Sequence, residues 1–375
     1  MGYRTFSREA YGSTKKKIDD ADGDTSFAGR QHIRETKKLH PLVDPAGYEL
    51  IRKSWPRYTG EEGSLVLKQG LPMLVENLFD TTGSMGSNVR LAFDSLPLQY
   101  DLLTKGSMAV LGRYDTQIIN AIFGDVVDNY ILSRTQAEMD EKIAEQLTLM
   151  VPEGNGGDEA EDPEYGLFAA AFLTDAFIIR YGLKPYHFMT TDAPSHGRID
   201  KVNLVRVFGE TVFDRVRENE HKLEEQQLPT TAEIVTELQK RAHAFAIIVD
   251  DQSSAQYWRE FYGKKYVVVI DSTEYLPHVE AAVIGLTEGI LDLQSLPQYL
   301  TDIGCNQSVA REIQRAVAGI PLGAQTLLPN FYEIPKKGSV CAKKHDLWPT
   351  EETETDSSEE VVDDDHNEEE ENTWL

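Results

Sequence analysis

The stretch Leu74-Val-Glu-Asn-Leu-Phe-Asp80-Thr-Thr82-Gly-Ser84-Met-Gly86 constrains the fold of this 375-residue chain more than any other. Its apolar run is what a strand buried in a sheet requires, and it passes directly into a loop whose alternate residues carry side-chain oxygens. Gly83 and Gly86 let that loop turn tightly enough for Asp80, Thr82 and Ser84 to face one point. A carboxylate and two hydroxyls are hard oxygen donors, the set that suits a hard cation.

Around this stretch strand and helix signals alternate, the pattern of a mostly parallel sheet covered by helices on both faces. Strands are expected at Met73 to Phe79, Ile118 to Gly124, part of Lys142 to Met150, His187 to Thr191, Ala244 to Asp250 and Tyr266 to Asp271. Helices are expected at Asn88 to Leu103, Tyr165 to Arg180, Val202 to Glu224 and Ala232 to His243. The fold class is therefore α/β, doubly wound. In such sheets ligands bind beyond the carboxyl ends of the strands, where strand order reverses, so several exit loops can converge on one site.

Asp80-Thr-Thr82-Gly-Ser84 resembles the Asp-x-Ser/Thr-x-Ser signature of von Willebrand factor type A (VWA) domains, the metal-ion-dependent adhesion site. Two further segments fall in that family's order: Gly154-Asn-Gly-Gly-Asp158-Glu-Ala-Glu161 before a helix, and Tyr186-His-Phe-Met-Thr-Thr-Asp192-Ala-Pro-Ser-His-Gly197 after a strand. The resemblance covers about Leu71 to Gly289 within a domain read as 46–290. It implies that Asp80 holds a metal through water, that Thr82 and Ser84 ligate directly, and that Asp192 comes from a third loop. Asp158 stands where many members carry threonine. It either ligates, leaving three carboxylates around the cation, or caps the helix that begins near Pro163. Mg²⁺ is the expected cation, Mn²⁺ would substitute, and Ca²⁺ stays open at so acidic a loop. His196 is read as lying outside the ligand set, because hydroxyls and carboxylates do not favour an imidazole-preferring metal.

The function the resemblance implies is protein–protein interaction, with an acidic side chain of the partner filling an open coordination position. An adaptor or complex-assembly role in the cytoplasm, beside an AAA+ ATPase, follows from the same family. The alternative is a purely structural metal with partner contacts elsewhere. An enzyme is not expected. A haloacid-dehalogenase-type phosphatase needs a second carboxylate two residues after its nucleophile, where this chain has Thr82; there is also no Gly-x-x-x-x-Gly-Lys-Ser/Thr loop and no Gly-x-Ser-x-Gly elbow.

Charge decides several remaining points. The formal net charge is −26, and residues 346–375 hold 14 Asp and Glu with no Lys or Arg. That acidic tail is expected to be disordered, and the overall balance argues against nucleic acid as a partner. Residues 1–45 read as a flexible polar arm, and 291–345 as a helical extension whose most periodic piece is Ser308 to Ala318. No run of 18 apolar residues occurs, so no membrane association is expected, and two cysteines, Cys305 and Cys341, make no disulfide framework.

Overall fold

The computed structural model describes residues 6–47, 49–60, 65–105, 107–155 and 159–341. The chain enters through helices α1 (Arg8–Asp20) and α2 (Phe27–Thr36), then three short strands, β1 (Arg52–Ser54), β2 (Tyr58–Thr59) and β3 (Leu65–Leu67). The apolar run singled out above becomes β4 (Pro72–Asp80), buried along its whole length. It is followed by α3 (Asn88–Thr104), β5 (Asp115–Phe123), β6 (Leu132–Arg134), α4 (Lys142–Leu147), α5 (Glu164–Phe172), β7 (Thr174–Ala176) and β8 (Tyr186–Thr191). Then come α6 (Lys201–Phe208), α7 (Val212–Glu218), α8 (Thr231–Arg241), β9 (His243–Val249), α9 (Gln252–Tyr262) and β10 (Val267–Ile270). Helices α10 (Leu276–Thr287), α11 (Leu296–Asp302) and α12 (Gln307–Ala316), with a last strand β11 (Val340–Cys341), complete the described chain.

The central sheet has the order β10-β9-β8-β4-β5-β6, and every pairing in it is parallel except β5 with β6. Successive residues of a strand face opposite sides, so the continuous apolar sequence of β4 serves two cores at once. Val75 and Phe79 join the cluster that includes Phe93 of α3, Leu147 of α4 and Ile284 of α10. Leu78 joins the cluster that includes Phe168 of α5, Leu238 of α8 and Trp258 of α9. Helix α5 lies close on β4 because residue 166 is glycine; a Cβ there would stand 2.4 Å from Leu78 Cδ1. After β5 and β6 the chain crosses to the other side of β4. The strand order therefore reverses at β4, and the crevice beyond Asp80 is the switch point.

A buried ionic centre ties this sheet to its flank. Arg134, ending β6, donates from Nε and Nη2 to the two carboxylate oxygens of Glu76 on β4 at 2.8 and 2.9 Å. Arg52 of β1 spends its guanidinium on the carbonyl oxygens of Thr135 and Arg134, each at 3.0 Å. A paired fork satisfies the donors that burial would otherwise leave without water.

Four segments depart from the sequence reading. Residues 8–20 and 27–36 are helices packed on the domain where a flexible polar arm was expected: Ile18 is fully buried, Tyr11 stacks on Phe93 at 5.1 Å between centroids, and Lys15 pairs with Asp94 at 2.7 Å. The apolar face is only three residues wide, Tyr11, Thr14 and Ile18, and lysines and aspartates outweigh it in composition. The strand expected in part of Lys142 to Met150 is instead α4, with Ile143, Ala144 and Leu147 buried on one helical face. The expected helix from Tyr165 stops at Phe172, and Thr174–Ala176 instead pairs with β1. The expected helix Val202 to Glu224 is two, divided at Gly209, whose φ of 79° no helix accommodates.

The segment after α10 is helical at α11 and α12, and its later part returns to the domain. Gln325, fully buried, accepts from Lys184 N at 3.3 Å and hydrogen-bonds His243 Nε2 at 2.9 Å, while β11 pairs antiparallel with β3. The acidic segment 346–375 lies outside the described residues. Among the described residues no helix is long and apolar enough to cross a membrane.

Candidate metal centre

Asp80 is the last residue of β4 and is fully buried. Its Oδ1 accepts from the Thr82 amide at 2.8 Å and the Thr82 hydroxyl at 2.6 Å; its Oδ2 accepts from the Thr191 hydroxyl at 2.6 Å. The loop backbone is clamped on both sides. Thr81 donates its amide and hydroxyl to the Phe123 carbonyl at the end of β5, at 3.1 and 2.9 Å, and Asn88 Nδ2 reaches the Asp80 carbonyl at 2.7 Å. Burial pushes the Asp80 carboxyl up to about 6, against the hydrogen bonds from Thr191 and Thr82, with the nearby charge of Asp192 adding to the rise.

The other expected donors fall as follows. Thr82 is buried, with its hydroxyl on Asp80. Ser84 lies in the 3₁₀ turn Gly83–Met85 that follows, entered through Gly83 at φ 36°. Asp192 is the first residue after β8, half-buried and close enough to raise Asp80. The first and third loops are thus brought together, as neighbours at the ends of paired strands β4 and β8. Asp158 lies outside the described residues.

The second loop contributes a residue that the sequence did not single out. Glu161 is 8% exposed, and its carboxyl is hydrogen-bonded to the Thr82 side chain while its Oε2 has no partner. A threonine hydroxyl carries one proton, which goes to Asp80 or to Glu161 but not to both. Two buried carboxyl groups therefore compete for one donor. Burial first, then the charges of Asp80, Asp125 and Asp162, push Glu161 up to about 8, against its hydrogen bond with Thr82.

Backbone bonds hold Glu161 in place. Its amide donates to the Pro194 carbonyl at 3.0 Å, and its carbonyl accepts from His196 N at 3.3 Å. The flanking acids lace the loops further: Asp162 accepts from Val126 N at 2.7 Å and sits 3.2 Å from His196 Nδ1, and Glu164 accepts from Gly197 N at 2.8 Å and Thr231 Oγ1 at 2.9 Å. His196 is thus engaged with Asp162.

Among the described residues no three His, Cys, Asp or Glu side chains gather as a metal cage. The donors that the described residues bring together here are threonine hydroxyls with the carboxylates of Asp80 and Asp192. That set fits a hard cation by donor type, and the partnerless Oε2 of Glu161 is an oxygen the protein itself leaves unsatisfied. A signal for Glu161 existed in the sequence: it lies two residues before Pro163, the N-cap of α5. Thr191 falls inside the strand expected at His187 to Thr191 and carries no site signal of its own.

A sheet reversing at β4, with an Asp-x-Thr-x-Ser loop at the reversal, defines the class: a doubly wound α/β domain whose first strand-exit loop carries oxygen donors at the switch point. No protein-family model matches the chain, and no curated protein sequence matches it. Solved structures similar to it include proximal thread matrix protein 1 from the mussel byssus, described with a zinc-occupied MIDAS motif, at 14% identity and TM-score 0.36 over 58% of this chain and 48% of that one. The pilus adhesin SpaC from Lactobacillus rhamnosus GG is similar at 12% identity and TM-score 0.39, over 61% of this chain and 33% of that one. A von Willebrand factor type A protein from Catenulispora acidiphila is similar at 12% identity and TM-score 0.32, over 64% of this chain and 51% of that one. The chain thus spans between a third and about half of these proteins.

Proposed function

We propose that the chain is a metal-dependent protein-interaction module, holding Mg²⁺ with Asp80, Thr82, Ser84 and Asp192. The observation that carries the reading is Asp80 itself: a fully buried carboxylate at the switch point of the sheet, both of its oxygens fixed by threonine hydroxyls. A bound divalent cation would supply positive charge and open coordination positions at this edge. The protein's part is to hold the oxygens at fixed spacing: Thr191 and Thr82 orient Asp80, and Thr81 ties the loop to β5. A phosphatase role is disfavoured, because the position two residues after Asp80 carries a hydroxyl that is spent on Asp80. The adaptor role in the cytoplasm beside an AAA+ ATPase, implied by the resemblance, belongs to the same proposal.

Calorimetric titration of Mg²⁺ into the full chain and into Asp80→Ala tests it. Saturable binding in the native chain, lost in the variant, is the expected result. A native chain that takes up neither Mg²⁺ nor Mn²⁺ overturns the reading.

A further inference from the structure

We propose that a basic pocket at the end of the sheet opposite Asp80 binds the chain's own acidic segment, residues 346–375. The pocket lies just before β4 and β5 begin, at Gln69 and at Gly112 to Tyr114, whereas Asp80 ends β4. Its volume is about 340 Å³, and Arg113, Lys336 and Lys337 line it together, all three exposed. Among the described residues no Asp or Glu lines it, and none of the three cations enters an ion pair. That runs against the composition, in which 63 Asp and Glu outnumber 37 Lys and Arg. Three positive charges gathered without an acid repel one another, and an anion among them relieves that repulsion.

The cations are held in place by the fold. Arg113 lies over the Phe331 ring at 4.3 Å and donates from Nη2 to the Phe331 carbonyl at 3.3 Å, so its guanidinium is oriented before any ligand arrives. The two lysines sit on a turn closed by Ser339 N to the Lys336 carbonyl at 3.0 Å and tied to β3 by Gly338 N to the Leu67 carbonyl at 2.8 Å. Gly70 brings the two walls together: at φ 109° it takes a conformation that suits glycine, and a Cβ there would stand 3.3 Å from Arg113 O and 3.7 Å from Lys337 N.

Charge and reach select the occupant. Residues 346–375 carry 14 Asp and Glu with no Lys or Arg, and Glu351, Glu352, Glu354 and Asp356 follow closely on one another. The strand β11 ends at Cys341, and Lys337 lies at most about 14 Å back along the chain. From Cys341 to Glu351 an extended chain spans about 33 Å, enough to turn, retrace that path and enter the pocket. Met139 and Ile334, both buried, also line the pocket and match Leu347 and Trp348 just ahead of these acids. Exposed ion pairs are individually weak in water, but the tether holds the acids at an effective concentration of about millimolar.

Zero-length carbodiimide cross-linking of the full chain, mapped by mass spectrometry on an equal mixture of ¹⁵N-labelled and unlabelled protein, tests this. The reagent joins a lysine amine to a carboxylate in contact with it, forming an amide with loss of water. Lys336 and Lys337 should be joined to acids of 346–375 within one isotope class, and about 0.5 M NaCl should suppress the products. Arg113→Gln removes a charge without removing a reactive amine; it should cut the yield at both lysines at least about threefold, and Arg113→Lys should preserve it. Lys336→Glu, read at Lys337, should do as Arg113→Gln does, and thermal melting reports that each variant is folded. Yields unchanged in both charge-removing variants, or equal yields at Lys264 and Lys265 beside β10, overturn the proposal. Products joining labelled to unlabelled chains place the segment on a second copy and overturn docking within one chain. Added poly-glutamate joined to Lys336 and Lys337 while 346–375 is not joined assigns the pocket to an outside acidic partner and overturns it as well.

Discussion

Thr191 donates its hydroxyl to Oδ2 of Asp80 at 2.6 Å, so the last side chain of β8 fixes the last side chain of its parallel neighbour β4. The bond is buried and the acceptor charged, which places it among the stronger kinds. Thr191→Val keeps the shape and deletes the donor. It should destabilise the metal-free protein by about 1–3 kcal/mol, read from the urea midpoint at neutral pH. An unchanged midpoint would show that Asp80 does not depend on the hydroxyl.

The Arg134–Glu76 pair predicts strong non-additivity. Arg134→Met alone leaves Glu76 buried and unpaired and should cost about 3–5 kcal/mol. Combining it with Glu76→Leu should recover much of that loss. A double-mutant cycle by chemical denaturation measures the coupling; simple addition of the two single effects would contradict a paired centre.

Helix α1 contributes to the domain's stability. Ile18 is fully buried under a helix joined to α3 through Lys15–Asp94 and through Tyr11, whose hydroxyl donates to the Phe93 carbonyl at 3.3 Å. Ile18→Ala should lower stability by about 2–4 kcal/mol. A freely moving arm would instead show no change in the thermal midpoint.

Glu280 on α10 predicts a pH dependence away from the metal loops. Burial pushes its carboxyl from 4.5 up to about 8, opposed only by the hydrogen bond from Gln99 Nε2 at 2.8 Å. An acid whose folded pKa lies above its unfolded value binds more protons folded than unfolded. Its contribution is therefore full below about 4.5 and is lost as pH rises toward about 8. Glu280→Gln, which removes the titration, should be more stable than the native chain at pH 8.5 and closer to it at pH 5, as read by urea denaturation. The opposite order would contradict a protonated buried Glu280.

The legible parts of the chain share one property: their signal is contained in their own residues. The apolar run of β4 reads as a doubly covered strand because each of its residues is buried, and Asp80 reads as a site residue because an acid ends that run. Asp192 is legible for the same reason, as the first residue out of β8. Elements that depend on distant partners were read less well. Thr174–Ala176 becomes strand only by pairing with Arg52–Ser54, more than a hundred positions earlier, and α1 is held by charges and rings on α3. The N-cap of α1 by Ser7, with Tyr11, Thr14 and Ile18 at helical spacing, was visible but weak beside the surrounding lysines and aspartates.

By itself the sequence determined the doubly wound α/β class and the loop Asp80-Thr-Thr82-Gly-Ser84, because hydrophobic period and strand-exit chemistry are local properties of consecutive residues. Only the tertiary structure decided that the chain reverses at β4, that Thr191 orients Asp80, and that Glu161 is buried against the third loop. The acids from Asp158 to Asp162 are nearly equivalent in sequence; it is the backbone bonds of Glu161 to Pro194 and His196, in the loop after β8, that tie the second loop to the third.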